Sequence, residues 1–530
     1  MTRALGVCVA FVCATALAAA GRPGQAAPPY DVLIRNGRVL DGTGNPWMLA
    51  DVAISGDRIA AIGRLNGATA ARVIDATGLY VAPGFIDTHT HAGPGLATAA
   101  LSPAQPQLAQ GITTVFINPD GGGPVGIAQQ RAALQQNGLG VNVAQFVPHG
   151  SVREAVVGMA DRQADAAEID RMRAIVRRGM EEGAWGLSAG PFYAPGSYAD
   201  TAEYVEMAKV AAEFGGAFQS HIRDESDYAI GVIASVEEVI TVAREARLPS
   251  IVTHIKALGP GVWGFSMAMA RRIDAARAEG LEVWADHYPY EAGATGLAAA
   301  LLPRWAQAGG RADLTRRLAE PATRAKIRAE MVENLRRRGG AERIQFRRVV
   351  EDPSIEGLTL AKVARDRGAD AVDVSIALLE KGSPSIVSFG MHEDDVRLFL
   401  RQPWTMTASD GDLVPFGEGV PHPRSYGAFA RKIRRYVIEQ PVLAIEETVR
   451  SMTTLPARVF RMPDRGELRP GAAADVIVFD LARVRDTATY AKPHQLAEGM
   501  VHVFVNGRAA IADGAFTKER PGRVLRRDGR

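Results

Sequence analysis

Two histidines close the segment Val81-Ala-Pro-Gly-Phe-Ile-Asp-Thr-His-Thr-His, and this pair, His89 and His91, is the first chemistry the chain offers. Alternate side chains of a strand leave the same face, so both imidazoles point one way. Two imidazoles so placed chelate a single divalent cation. More donors stand at the ends of other strand-like runs. His221 closes Ala217-Phe-Gln-Ser-His, His254 closes Ile251-Val-Thr-His, and Asp410 follows Trp404-Thr-Met-Thr-Ala-Ser. A lone histidine or aspartate at such a position has many structural uses; the whole set points to a metal centre. Lys256 lies two residues beyond His254 and shares that ligand's face, and Arg424, in His422-Pro-Arg-Ser-Tyr, lies on the loop after Asp410. Both offer positive charge to an anionic substrate group.

Such scattered donors meet only if the strands that carry them run parallel. Candidate strands begin at Gly111, Val143, Ala217, Ser250 and Glu282, and helical patterns over 165–182, 201–214 and 266–279 separate them. That alternation predicts a parallel α/β architecture, and a closed (β/α)8 barrel fits residues 83–455. The Arg/Ala/Glu-rich stretch 301–348 breaks the strand rhythm and reads as a helical insertion. Both chain ends read differently. Asp31 to Leu40 suggests two strands around Asn36-Gly37, and Asp51 to Gly63 suggests two around Ser55-Gly-Asp. Ala474 to Asp480 and Val501 to Arg508 repeat the scheme. Neither end closes a core alone, so the expectation is one small β-sandwich built from 27–82 and 456–530.

Composition removes some classes. In 530 residues, Lys+Arg number 61 and Asp+Glu 59, and no basic run carries interleaved aromatics, so no nucleic-acid partner is expected. Hydrophobic residues at 47% and charged residues at 23% describe a chain with a large core. A positive start, an apolar stretch from Ala4 to Ala20 and small residues beyond it read as a signal peptide over 1–26. The expectation is export to the periplasm or beyond, with no stable membrane insertion. The two cysteines, Cys8 and Cys13, fall inside that segment, so the processed chain would carry neither disulfide nor catalytic thiol. Subunit number is not written in the composition.

Across nearly all the remaining length the sequence resembles the amidohydrolase superfamily of metal-dependent barrel hydrolases. Within it the chain is similar to the N-acyl-D-amino-acid deacylase (D-aminoacylase) group. Ala82-Pro-Gly-Phe-Ile-Asp-Thr-His-Thr-His is general to the superfamily. Closer to the deacylase group are Gly111-Ile-Thr-Thr-Val, Trp185-Gly-Leu-Ser, His221-Ile-Arg-Asp-Glu, His254-Ile-Lys, Asp286-His-Tyr-Pro-Tyr-Glu-Ala-Gly, Ala408-Ser-Asp-Gly and His422-Pro-Arg-Ser-Tyr-Gly. The resemblance implies His89, His91, His221, His254 and Asp410 as ligands of one or two Zn2+ ions, other divalent metals being open. It gives Asp410 the further role of general acid and base. It also implies Lys256, Tyr288 and Arg424, with Arg223 as an addition, as the groups holding the carboxylate of an N-acyl amino acid.

One departure changes the ligand set. The deacylase group carries a zinc-binding cysteine after the second barrel strand, where this chain has Asn118-Pro-Asp-Gly. Asp120 takes that position. Read as a ligand, its carboxylate spans two cations; read as part of Pro-Asp-Gly-Gly-Gly, it belongs to a turn. A carboxylated lysine bridge is not expected, since no lysine occurs between His91 and Lys209. The leading expectation is hydrolysis of N-acyl-D-amino acids to a D-amino acid and a carboxylate. The alternative is an exported dipeptidase, or another amidohydrolase acting on a carboxylate-bearing amide.

Overall fold

The computed structural model describes Thr2 and residues 29–527. The expected signal segment, Thr2 apart, and both cysteines lie outside the described residues. No helix among the described residues is long and apolar enough to cross a membrane.

Eight strands form the barrel: β1 (Phe85–Asp87), β2 (Ile112–Ile117), β3 (Asn142–Gln145, continued by Val147–Pro148), β4 (Gly186–Ala189), β5 (Ala217–Ser220), β6 (Ser250–Val252), β7 (Val283–His287) and β8 (Thr405–Thr407). All neighbouring pairs are parallel. The first half of β3 pairs with β2 and its second half with β4, so Phe146 is where the ladder changes partner. Between β8 and β1 the link is made just beyond the strand ends. The Asp410 amide donates to the His89 carbonyl (2.8 Å), and the His91 amide donates to the Gly411 carbonyl (2.8 Å). The segments carrying the expected ligands therefore close the barrel themselves.

Helices Ala166–Glu181, Thr201–Glu213, Val232–Ala246 and Ser266–Ala278 cover the outside. Two begin on aspartate caps: Asp165, in a reciprocal capping box with Glu168, and Asp200, which accepts from the Glu203 amide. Inside, Ile86, Phe116, Ala144, Phe146, Trp185, Ile251 and Met406 pack with Phe460, whose ring stacks on Phe116 at 4.1 Å. This apolar filling leaves only the strand ends for polar chemistry.

Both chain ends join in one nine-stranded sheet. The sheet folds back on itself: the Ile59 amide donates to the Ala472 carbonyl (2.9 Å) and the Gly471 amide to Ile59 (2.8 Å), tying an edge strand to the segment entering Val476–Phe479. Val32, Ile34, Val52, Ile54, Val81, Val476, Val478 and Phe504 fill the layer between. The Ser55-Gly-Asp turn and the Asn506-Gly507 turn both join antiparallel strands. Asn36-Gly37 does not. Tyr30–Val39 is one strand with a bulge there, and Asn36 takes φ 60°. A two-residue turn and a bulge require the same left-handed residue, and here continuation of the pairing with Met48–Ser55 decides for the bulge.

The insertion is longer than 301–348 and not purely helical. Gly293–Gly296, Ile344–Arg348 and Ser385–Ser388 form a three-stranded antiparallel sheet, with Ser385–Ser388 in the middle. Helices including Leu297–Leu301, Pro321–Arg337 and Ala371–Lys381 pack on it around a separate core. Gly-Ala-Thr-Gly carries no alternation of apolar residues, which hides the first of these strands in the sequence. Past the barrel, the helix Thr454–Val459 belongs to its filling, so the sheet is re-entered near Gly471 rather than at 456.

Candidate metal centre

The expected donors lie together at the C-terminal mouth of the barrel. His89 Nε2 is 3.5 Å from Asp410 Oδ1, and His91 Nε2 is 3.2 Å from the same oxygen. His221 Nδ1 and His254 Nε2 face each other at 2.8 Å. Asp120 joins the two groups. Its Oδ1 lies 3.6 Å from His89 Nε2, 3.8 Å from His221 Nδ1 and 3.4 Å from His254 Nε2, while its Oδ2 lies 3.4 Å from His91 Nε2. The donors thus form two clusters, His89–His91–Asp120–Asp410 and Asp120–His221–His254, with Asp120 common to both.

The chemistry of these donors fits divalent metal. His89 Nε2 and Asp120 Oδ1 are buried and have no hydrogen-bond partner. The opposite nitrogen of His89, Nδ1, is 2.8 Å from Thr253 Oγ1, whose hydroxyl donates to Asp286 Oδ1 (2.8 Å). Since that hydroxyl hydrogen is spent on Asp286, its oxygen accepts from His89 Nδ1–H, leaving Nε2 with a lone pair for a cation. Asp286 also accepts from the His254 amide (2.5 Å), from Thr88 Oγ1 (2.9 Å) and from Gln219 Nε2 (3.0 Å). Asp87 does similar work for the opposite strand, accepting from the Ser409 amide (2.8 Å) and Ser409 Oγ (2.5 Å).

The backbone is bent to place these groups. Asn118, Asp120, His254 and Asp410 all take positive φ, between 35° and 61°. Aspartate and asparagine tolerate that region; histidine does so rarely. Ser188 Oγ donates to the Asn118 carbonyl (2.6 Å) and accepts from the Gly121 amide (3.2 Å), pinning the Asp120 loop to β4. Gly190 allows the approach, because a Cβ there would stand 2.2 Å from the Asp120 carbonyl oxygen.

Electrostatics divide the histidines. Burial alone would lower all of them, but Asp120 and Asp410 reverse this for His89, raised to about 10, and His91, raised to about 9. For His221 burial prevails against Asp120 and takes it down to about 3; His254, pushed the same way by burial and then Lys256, falls to about 4. Asp410 is itself held well below the usual carboxylate range; burial opposes this, but Arg424 and the two nearby imidazoles outweigh it. It is ionised.

Lys256, Tyr288 and Arg424 line one chamber with Asp120, His221, His254 and Asp410. Lys256 Nζ donates to Glu225 Oε1 (2.6 Å) and lies 2.7 Å from His254 Nδ1. Arg424 Nη1 stands 2.6 Å from Asp410 Oδ2, and its guanidinium covers the Tyr288 ring at 4.7 Å. The Tyr288 hydroxyl is buried without a partner. Arg223 is placed elsewhere: it donates to Glu238 from Nε (3.1 Å) and Nη2 (2.6 Å) and lies over Tyr204. Both segments have left the strand by these positions, after Ser220 and after Val252, and Arg223 turns outward to Glu238 while Lys256 turns in to His254 and Glu225. His149 stands outside the donor clusters, bonded to Glu203 at 2.9 Å.

Residues not singled out from the sequence complete the site. Glu225 holds Lys256 and lies 3.6 Å from His221 Nε2. Its signal was the four-residue spacing from His221. Asp286 and Asp87 were visible as acids beside ligand-bearing strands, and Tyr193, 4.8 Å from the His221 ring, carried no signal.

A parallel barrel with four imidazoles and two carboxylates at its mouth defines the class of metal-dependent hydrolases. The chain belongs to the amidohydrolase family, whose pattern matches residues 72–511. It is 36% identical over 520 residues to an N-acyl-D-glutamate deacylase of Alcaligenes xylosoxydans xylosoxydans, covering 94% of this chain and 97% of that one. To a D-aminoacylase of the same organism it is 34% identical over 524 residues, covering 94% and 98%. Among solved structures, a D-aminoacylase with a binuclear metal centre superposes with a TM-score of 0.81 at 32% identity, covering 94% of this chain and all of that one. The N-acyl-D-glutamate deacylase of Bordetella bronchiseptica, complexed with zinc and a phosphonate mimic of the tetrahedral intermediate, gives 0.79 at 34% identity, covering 94% and 99%.

Proposed function

We propose that this protein hydrolyses N-acyl-D-amino acids, releasing a D-amino acid and a carboxylate, with Zn2+ at the donor clusters. The observation that carries the reading is the shared chamber: Lys256, Tyr288 and Arg424 line it with four of the six donors, Asp120, His221, His254 and Asp410, so a carboxylate-bearing amide is held where it reacts. The full-length deacylase relatives support the same substrate class.

Zinc bound there polarises the amide carbonyl and lowers the pKa of water. The chain supplies the rest. Lys256 and Arg424 hold the α-carboxylate, which fixes the scissile carbon over Asp120 and Asp410. As water adds to the carbonyl carbon, Asp410 takes its proton. When the C–N bond breaks, Asp410 returns that proton to the leaving nitrogen, so acid and amine form with one water consumed. Asp120, common to both donor clusters, would hold metal together with His89, His91 and Asp410 on one side and with His221 and His254 on the other. Export of the chain is a further part of it, supported by the basic start and the apolar run from Ala4 to Ala20.

The test uses zinc-loaded enzyme and paired N-acetyl-D- and N-acetyl-L-amino acids. D substrates are expected to turn over, to stop after chelation and to resume with added zinc. Turnover of L substrates at equal rates, or turnover that survives complete removal of metal, overturns the proposal.

A further inference from the structure

The chamber that holds Lys256 and Arg424 contains a third cation. Arg338, at the end of the helix Pro321–Arg337, is 2% exposed and lines that chamber with Ser388, Tyr193, Phe192 and Leu258. The other two cations are matched: Lys256 by Glu225 at 2.6 Å and Arg424 by Asp410 at 2.6 Å. No carboxylate pairs with Arg338 among the described residues. The groups it bonds and covers are neutral: the Ala300 carbonyl accepts from Nε (3.3 Å), Ser388 Oγ accepts from Nη1 (3.2 Å), and the Tyr228 ring lies 5.7 Å away. Arg304, over the Phe192 ring at 4.0 Å, also lacks a carboxylate partner among the described residues. Its guanidinium is lowered to about 10, by burial first and by repulsion from Arg338 among the lesser causes.

Leaving a buried guanidinium without a counter-charge is costly in a folded chain. A structural role as a helix-end cap uses Nε and Nη1 but explains neither the missing carboxylate nor the place beside the reacting groups. A ligand anion explains both. The α-carboxylate already has Lys256 and Arg424, so the anion that Arg338 awaits is a second one.

On the reading that this site cleaves N-acyl-D-amino acids, we infer that the inner chamber takes the side-chain carboxylate of an acidic D-amino acid, and that Arg338 is the residue that selects it. Arg304 adds positive potential behind Phe192. The substrates are then N-acyl derivatives of D-glutamate or D-aspartate rather than of apolar D-amino acids.

The experiment compares N-acetyl-D-glutamate and N-acetyl-D-aspartate with N-acetyl-D-glutamine and N-acetyl-D-leucine on the zinc-loaded full chain. Glutamine matches glutamate in size and differs only in charge. The expected preference in kcat/KM for the acidic substrate over glutamine is about 100-fold or more. In Arg338→Met that preference should collapse to a few-fold, through a higher KM for the acidic substrates, while glutamine and leucine derivatives change little. Arg338→Lys should keep part of the preference, which answers the case where the methionine variant folds poorly. Equal rates for glutamate and glutamine in the wild type overturn the inference, as does an equal loss on all four substrates in both variants. If no N-acyl-D-amino acid is cleaved by metal-loaded enzyme, it is the functional reading that falls.

Discussion

The donor clusters separate two chambers of different character. The inner one is tight and charged, with Lys256, Arg338 and Arg424 among its walls. The outer one is a cavity of about 980 Å3, walled by Gly121, Gly122, Gly123, Pro94, Ala97, Gln129 and Ala133, with the Arg347–Asp412 ion pair at its edge. They share Asp120, Tyr193, Ala294, Thr295 and Arg424, so an amide lying across the donor clusters would have one end in each. In the proposed function the charged chamber would recognise and the wide one accommodate. A substrate would then be fixed by its amino-acid half, and its acyl half would meet a wider wall that mixes glycine and alanine with Gln129, Gln130, Glu154 and the Arg347–Asp412 pair.

The strongest way to break this contrast is at the boundary itself. Asp410→Asn should keep bound zinc but lower kcat by about 1,000-fold, checked by metal analysis beside steady-state kinetics. Near-normal turnover would remove the proton-transfer role. On the inner side, Lys256→Met should lower kcat/KM by about 100-fold for N-acyl-D-amino acids, and the corresponding amides, which lack the α-carboxylate, should lose their disadvantage. Gly190→Ala forces a Cβ against the Asp120 carbonyl and should weaken zinc binding about 10-fold, read by titration against a chromogenic chelator. On the outer side the effects should be small. Gln129→Ala, or exchange of acetyl for a longer acyl group, is expected to move kcat/KM by no more than about 5-fold. A large loss there would make the outer wall a recognition surface too.

A buried cation outside both chambers sharpens the contrast through stability instead of rate. Lys432 is fully enclosed, donates to Thr407 Oγ1 and Ser451 Oγ (both 2.8 Å), and is lowered by burial to about 7. The unfolded chain keeps this lysine protonated to about 10.5, so it binds more protons than the folded chain between those values. Stability should rise as pH climbs from 7 towards 10. Lys432→Met should therefore raise Tm most near pH 7 and below, with the gain shrinking at pH 10. A gain independent of pH would show that packing, not charge, sets the difference.

Much of the metal centre was legible because strand alternation is local and strict. His89 with His91, and His254 with Lys256, were picked out by their two-residue spacing, although each pair stands just past its strand's end, at Asp87 and at Val252. Asp120 was legible only against a family in which a thiolate holds that position. Arg223 came in only through the resemblance and its nearness to His221; its guanidinium is taken by Glu238, a partner that spacing does not reveal. Arg338 was invisible for a different reason: it reaches the chamber from the insertion, through a helix whose docking no local pattern records. Asp286 and Glu225 could be seen as acids but not assigned, since their partners lie on other strands. The insertion's sheet was hidden by glycine and by strands too short to break the helical reading of their surroundings.

The closing strands of the terminal sheet come from opposite ends of the chain. The tail then returns to the barrel: the Val143 amide donates to the Arg523 carbonyl (2.9 Å), the Leu525 amide to Val143 (2.7 Å), and the Trp185 indole to Leu525 (3.0 Å). The strands over residues 30–83 pair with one another as they are made, but Tyr80–Pro83 waits for its far partner Val476–Phe479. The barrel can collapse early around its own apolar filling, but its final edge is sealed by residues made minutes or seconds later. Loss of the contacts made by Arg523 and Leu525 would thus reach β3 and Trp185, far from them in sequence.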